Sequence, residues 1–286
     1  MDGRGTIDPV SGHLYVVGTP IGNLGDLSDR ARETLAAVDL VAAEDTRRTG
    51  KLLAHAGIKV RMLSLFEGNE RQRIDELLER LGEGAKVALV SDAGMPAVSD
   101  PGFRLLRAAV DAGIGISVVP GPSAVTAALV VSGLPTDRWV FEGFLPRRPS
   151  ERRERLRALG HDPRTVVLFE SPLRVISLLR DALVELGDRR AVVARELTKL
   201  HEEVVRGRIS EVIASLLEGE PRGEMVVVIE GAEARASDLD EMVEEARRLV
   251  ADGMRKREAA VAVARRGGGS ANEIYGALIG SEIETD

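Results

Sequence analysis

The chain has 286 residues, 39 Lys and Arg against 46 Asp and Glu, and no cysteine. Without cysteine there is no disulfide framework, thiolate zinc site, thiol nucleophile or iron–sulfur cluster. No apolar run approaches the ~18 residues of a membrane span, and the opening MDGRGTIDPVSG lacks the basic-then-apolar layout of a signal peptide, so a cytoplasmic protein with no membrane contact is expected.

After a flexible tail expected over residues 1–12, short β-rich runs alternate with helical patterns. The runs are His13–Gly18, Val38–Glu44, Arg61–Phe66, Lys86–Ser91 and Ile116–Pro120. Helical periodicity marks Asp26–Ala37, Thr46–Ala56, Asn69–Leu81, Pro101–Ala112 and Ser123–Val131. Near-continuous apolar strands alternating with helices predict a mostly parallel sheet covered on both faces, here an α/β domain over 13–133. The turn-rich Ser132–Arg138 closes it. Strand-like runs follow at Val140–Leu145, Thr165–Phe169, Ala191–Arg195, Val204–Gly207 and Met225–Glu230, with helical ones at Glu151–Leu159, Leu173–Leu186 and Ser210–Leu217. They predict a second α/β domain over 134–233 with a mixed sheet. An acidic linker, Glu233–Asp240, leads to a small helical tail domain over 240–286, with helices at Leu239–Ala251, Arg255–Arg265 and Asn272–Ile279.

The densest motif is SDAGMPAVSDPG, Ser91–Gly102, between a buried strand and a helix. Open parallel sheets bind ligands at the carboxyl ends of their strands. Asp92 offers a carboxylate there, Gly94 permits close backbone approach, and Asp100 with Pro101 reads as the N-cap and first residue of the next helix. VGTPIGNLGD (Val17–Asp26) and PGPSA (Pro120–Ala124) end two further strands, so three Gly/Pro loops are placed to line one crevice. Neither GxGxxG nor GxxxxGK[ST] is present, which removes support for an ordinary dinucleotide or P-loop site. AEDTR (Ala43–Arg47) reads equally well as a site or as an N-cap Asp45 paired with Arg47. FEGNE (Phe66–Glu70), FESPLR (Phe169–Arg174) and RELTKLHEE (Arg195–Glu203) mark three more strand exits. The four histidines are scattered without ligand spacing, and no metal is expected.

Basic residues cluster twice, with eight Arg against four acids over 138–164 and five basic residues against one acid over 253–270. Each is a solvated helix face or a set of phosphate contacts. Aromatic residues make up 3% of the chain, which argues against a broad base-stacking platform.

VVGTPIGNLGDLSDRA, AEDTR, SDAGMPAVSDPG, PGPSA, FESPLR and RELTKLHEE occur in this order. Together they make the chain resemble the tetrapyrrole-methylase-like S-adenosylmethionine enzymes, and among them the bacterial enzymes that 2′-O-methylate a cytidine ribose of 16S ribosomal RNA. The resemblance is dense over 13–231. It implies two α/β domains with S-adenosylmethionine in the cleft between them, a homodimer, and a substrate in the decoding region of 16S rRNA within the small ribosomal subunit. It places the cofactor against Gly18, Thr19 and Pro20, against Asp92, Ala93, Gly94 and Met95, and against Ser123 and Ala124, with Phe169, Leu197 and Met225 framing the adenosine. Candidate proton acceptors are Asp45, Glu67 and Glu170, with Arg47, Arg174 and Lys199 to hold phosphate or lower the hydroxyl pKa. Candidate RNA contacts are Arg47, Arg147, Arg148, Arg174, Arg255, Lys256 and Arg257. The family pattern carries a histidine before Asn69–Glu70, where this chain has Phe66, Glu67 and Gly68. The rival readings are a tetrapyrrole methyltransferase, which needs no basic tail, and a non-enzymatic RNA-binding factor of the small subunit, which needs no ligand loops.

Overall fold

The structure is a computed structural model that describes residues 12–219, 222–233, 236–267 and 269–280. The expected tail lies outside these residues except for Gly12, which is buried and donates its amide to the Leu81 carbonyl at 2.9 Å.

Five parallel strands form the first sheet: β1 (His13–Val17), β2 (Leu40–Ala43), β3 (Arg61–Ser64), β4 (Lys86–Val90) and β5 (Gly115–Val119), in the order β3-β2-β4-β1-β5. Their apolar runs are continuous because alternate residues serve opposite layers. Val17, Val41, Ala43, Ala88 and Val90 pack with Leu35 of α1 (Asp29–Ala37) and Leu52 of α2 (Thr46–His55). Leu14, Leu40, Ala42, Val87 and Leu89 pack with Leu77 of α3 (Glu70–Gly82) and Leu105 of α4 (Phe103–Asp111).

The second sheet holds β6 (Trp139–Phe144), β7 (Thr165–Glu170), β8 (Arg190–Arg195), β9 (Glu203–Arg208) and β10 (Met225–Ile229), in the order β6-β7-β10-β8-β9. β6 runs parallel to β7 and the other pairings are antiparallel, so the sheet is mixed. One face packs on α6 (Pro149–Ala158), α7 (Val175–Leu186) and α8 (Ile209–Glu218). The other face is covered by α5 (Ala124–Ser132), which leaves the first sheet at β5 and lays Val125, Ala128 and Leu129 against Val167, Val192, Val226 and Val228. That single helix joins the two halves through one core. Its sequence, AVTAALVVS, is apolar on nearly every side; Val125, Ala128, Leu129 and Ser132 are buried while Thr126 and Val130 stay exposed.

Helices α9 (Ala236–Ala251), α10 (Lys256–Gly267) and α11 (Ala271–Gly280) enclose a separate small core that includes Val243, Ala259, Val263, Ile274 and Leu278.

One local expectation is corrected. Helix α4 begins at Phe103, with Gly102 as its N-cap at φ +122°, so Asp100 does not cap it and Pro101 is not its first residue. The cap comes from elsewhere in the chain. Glu70 is buried, and its Oε1 accepts from the Gly102 and Arg104 amides, both at 3.1 Å. A distant carboxylate satisfies the orphan amides, and Asp100 is left for another task.

Candidate active site

The carboxyl ends of the parallel strands are stitched together by backbone. Gly18 ends β1 so close to Gly121, beyond β5, that an added Cβ would sit 2.6 Å from the Gly121 Cα and 2.7 Å from Met95 Sδ. Only glycine permits that approach. Thr19 is buried, exchanges backbone hydrogen bonds with Gly94 at 2.9 and 3.1 Å, and donates its hydroxyl to the Ser91 carbonyl. Gly94 itself has φ +78°. Asp92 Oδ1 accepts from the Asp45 amide at 3.0 Å, Arg48 pairs with Asp92 at 3.3 Å, and the Asp92 amide donates to Glu44 at 3.2 Å.

Against this platform the second sheet closes a cavity of about 320 Å³. Its first-sheet wall is Ile21, Ala93, Gly94, Met95, Val98–Asp100 and Ser123–Val125. Its second-sheet wall is Phe144, Phe169–Pro172, Leu197 and Gly223–Val226. Eight of the residues assigned to a cofactor from sequence meet here: Ala93, Gly94, Met95, Ser123, Ala124, Phe169, Leu197 and Met225. Gly18, Thr19, Pro20 and Asp92 do not line it; Gly18, Thr19 and Asp92 brace the loops that do. Ser123 sits at the N-cap of α5 but makes no side-chain cap bond, so its hydroxyl is left to the cavity. The Phe169 ring is 5.0 Å from Phe141 and 5.5 Å from Phe144, an aromatic cluster on one rim.

A second cavity, about 520 Å³, adjoins the first on the first-sheet side. Glu44, Phe66, Glu67, Glu70 and Ser99–Arg104 line it. Ser99 and Asp100 belong to both walls. The loop that carries them holds Ala97 at φ +67° and Ser99 at φ +63°, and the facing loop of the second sheet holds Glu196 at +51° and Thr198 at +67°. Such conformations in side-chain-bearing residues cost about 1–3 kcal/mol each and gather where a loop must hold one shape for function.

The candidate proton handlers divide by environment. Asp45 caps α2, and its carboxylate takes two bonds from the Arg47 guanidinium, at 2.8 and 3.1 Å, which holds it well below the usual carboxylate range. This is the cap-and-pair arrangement that the sequence offered as one of two readings. Glu170 is buried, accepts from the Ser171 amide at 2.8 Å and pairs with Arg174 at 3.0 Å. Arg174 also donates to the Leu145 carbonyl at 2.9 Å, so its guanidinium fastens β6 to β7. Burial would lower Lys199, but hydrogen bonds to Glu196 and Glu224 outweigh it and keep the ammonium charged. Glu67 is exposed on the second cavity. Asp100 differs from all four. Burial first, then the charges of Glu44, Asp92 and Glu224, push it up to about 6 against a hydrogen bond from Ser91.

Sequence reasoning missed Asp100, Phe144, Ser171 and Glu224 as cavity residues. The available signal for Asp100 was the second Asp of SDAGMPAVSDPG, which looked like an ordinary cap. Phe144 ends β6 and Glu224 immediately precedes β10, strands whose partners only folding reveals.

Of the candidate RNA contacts, Arg47, Arg147, Arg148, Arg255 and Arg257 are exposed, and Lys256 is partly so. Within the 138–164 cluster, Arg152 and Arg153 are paired with Asp181, Arg155 with Glu142, Arg157 with Glu185 and Arg164 with Asp162. Much of that positive stretch therefore serves the fold. Among the described residues, no group of three His, Cys, Asp or Glu is placed to hold a metal. No helix among them is long and apolar enough to cross a membrane.

Two sheets with a cleft at the carboxyl ends of the parallel one define a class. The family model for tetrapyrrole (corrin/porphyrin) methylases matches residues 13–213, and the chain belongs to that family. The fold is also similar to a solved structure of the methyltransferase CobJ, with a TM-score of 0.58 at 22% identity over 79% of this chain and 96% of that one. Within the class the likeness narrows. The ribosomal RNA small subunit methyltransferase I of Thermotoga maritima is 52% identical over 78% of this chain and all of that protein. Its counterpart in Mycobacterium tuberculosis is 45% identical over 96% of this chain and 97% of that protein. The chain is thus a methyltransferase of the small subunit methyltransferase I group.

Proposed function

We propose that the protein uses S-adenosylmethionine to methylate the ribose 2′-hydroxyl of a cytidine in the decoding region of 16S rRNA, in the small ribosomal subunit. The observation that carries the reading is the 320 Å³ cavity at the β4 and β5 exits, apolar on most sides and bearing the carboxylates of Asp100, Glu170 and Glu224. A ligand with a fused aromatic ring, a sugar and a net positive charge fits those walls. Phe169, Leu197 and Met225 would hold the adenosine; Ala93, Gly94, Met95, Ser123 and Ala124 would hold the amino-acid part. In this division 13–133 and 134–233 supply the two walls, 240–286 contacts RNA, and two copies form a homodimer.

When bound, S-adenosylmethionine supplies an activated methyl group. The protein's share is to exclude water, hold the ribose hydroxyl in line at about 3–3.5 Å and accept its proton. Asp45, Glu67 and Glu170 are the acceptors read from sequence, with Lys199 beside the cleft. Arg47, Arg147, Arg148, Arg174, Arg255, Lys256 and Arg257 are the proposed RNA contacts. Sequence likeness to relatives named for the small subunit RNA supports an RNA acceptor over a tetrapyrrole.

The test is methylation of purified small subunits with methyl-labelled cofactor, followed by nuclease mapping of the labelled nucleotide. Label on a cytidine ribose of the decoding region is expected. Label on a base, or none on RNA, rejects the reading.

A further inference from the structure

We propose that the second cavity seats the nucleoside to be methylated, and that Asp100, in the wall it shares with the first cavity, takes the proton from the reacting hydroxyl. The proposal rests on the RNA methyltransferase reading and assigns its acceptor side.

Three observations converge. The first is adjacency. Methyl transfer needs donor and acceptor in contact, and the two cavities meet at Ser99 and Asp100, which line both. Of those two, only Asp100 can hold a proton near neutral pH. The second is where the rings are. The chain has five phenylalanines, of which Phe144 and Phe169 line the first cavity and Phe66 and Phe103 the second, while Phe141 meets Phe169 edge to face. Phe66 and Phe103 are 47% and 63% exposed, and such faces serve an unstacked base well. In so aromatic-poor a chain, one pair of rings per cavity indicates one base per cavity. The third is preorganisation. Ser99 and Ala97 are held at positive φ, Pro101 restricts the backbone of Asp100, and Glu70 caps α4 from outside. Asp100 is thereby excused from capping and fixed at the junction.

The charged groups around Asp100 suit a base. Glu44 from the β2 exit, Asp92 from the β4 exit and Glu224 from the β10 entry all face it with negative charge, and Glu67 and Glu70 lie across the second cavity, Glu170 across the first. Arg48 is paired with Asp92, and Lys199 with Glu224. Arg104 lines the second cavity together with Phe103. In the step, the hydroxyl O–H bond breaks and its proton passes to the Asp100 carboxylate. The oxygen keeps the pair and bonds the methyl carbon, whose former bonding pair stays with the departing donor.

The experiment compares wild type, Asp100→Asn and Phe103→Ala. For wild type, the single-turnover rate on small subunits should rise about tenfold per pH unit below about 6 and level off above it. Asp100→Asn, assayed with saturating S-adenosylmethionine, should lose that limb and at least 10²-fold in rate at pH 7.5, and unfold at a higher temperature at pH 7.5 but not at pH 4. Phe103→Ala, an exposed position, should raise KM for subunits at least fivefold with donor affinity unchanged. A full rate or an intact acid limb in Asp100→Asn, or an unchanged KM in Phe103→Ala, overturns the proposal. Absence of RNA methylation by wild type overturns the underlying reading and the proposal with it.

Discussion

Asp100 shows how a single residue trades stability for a task. Its folded pKa, about 6, lies above the ordinary 3.8, so the native state binds the proton more tightly than the unfolded chain. Its contribution to stability is therefore complete below pH ~4 and is lost as pH rises through about 6. The rise is worth at most ~3 kcal/mol, which water at the cavity mouth reduces to about 1–2 kcal/mol. Asp100→Asn should thus gain about that much at pH 7.5 by chemical denaturation and nothing at pH 4. At Gly18 the sign is the opposite. Gly18→Ala drives a Cβ into the Gly121 backbone and Met95 Sδ, and neither backbone can yield without moving a cavity loop. A loss of about 1–3 kcal/mol and weaker binding of S-adenosylmethionine should appear together, by denaturation and calorimetry. Neither residue could have been weighed this way from sequence. SDPG looks the same whether Asp or a distant Glu caps the helix, and the partner of Gly18 lies about a hundred positions away.

At the scale of elements, the second sheet depends on charge in a way the first does not. Asp181 of α7 accepts from Arg152 and Arg153 of α6, each at 2.7 Å, and Arg152 is buried with it. Burial alone would raise Asp181, but the two guanidinium hydrogen bonds together prevail and hold it below the ordinary range. A depressed carboxylate stabilises above its unfolded pKa and ceases to do so as pH falls below about 4. Acid titration of thermal unfolding should show this loss, and Asp181→Ala should remove about 3–5 kcal/mol at neutral pH by leaving a buried guanidinium alone. Helix existence and type were legible along the whole described chain, because each strand and helix repeats with its own period. Which layer a helix joins was not. Helix α5 follows the first sheet in sequence and covers the second, and its apolar sequence alone does not say which sheet it packs on.

At the scale of the molecule, the helices α9–α11 carry their own core, while the cleft is complete without them. Ending the chain after residue 233 should leave cofactor affinity unchanged. It should weaken binding to small subunits and flatten the dependence of that binding on salt, since each lost phosphate contact removes about one counterion from the slope. Cosedimentation across several salt concentrations measures both. Sequence by itself determined the two α/β halves, the helical tail, the Gly/Pro-rich loops at the strand exits and the family, because apolar period and turn composition are local properties of the chain. Tertiary structure alone decided that two cavities meet at Asp100, that scarce phenylalanines divide between them, and that many basic side chains are spent on ion pairs. Those facts depend on distances between residues far apart in sequence, and no local pattern encodes them.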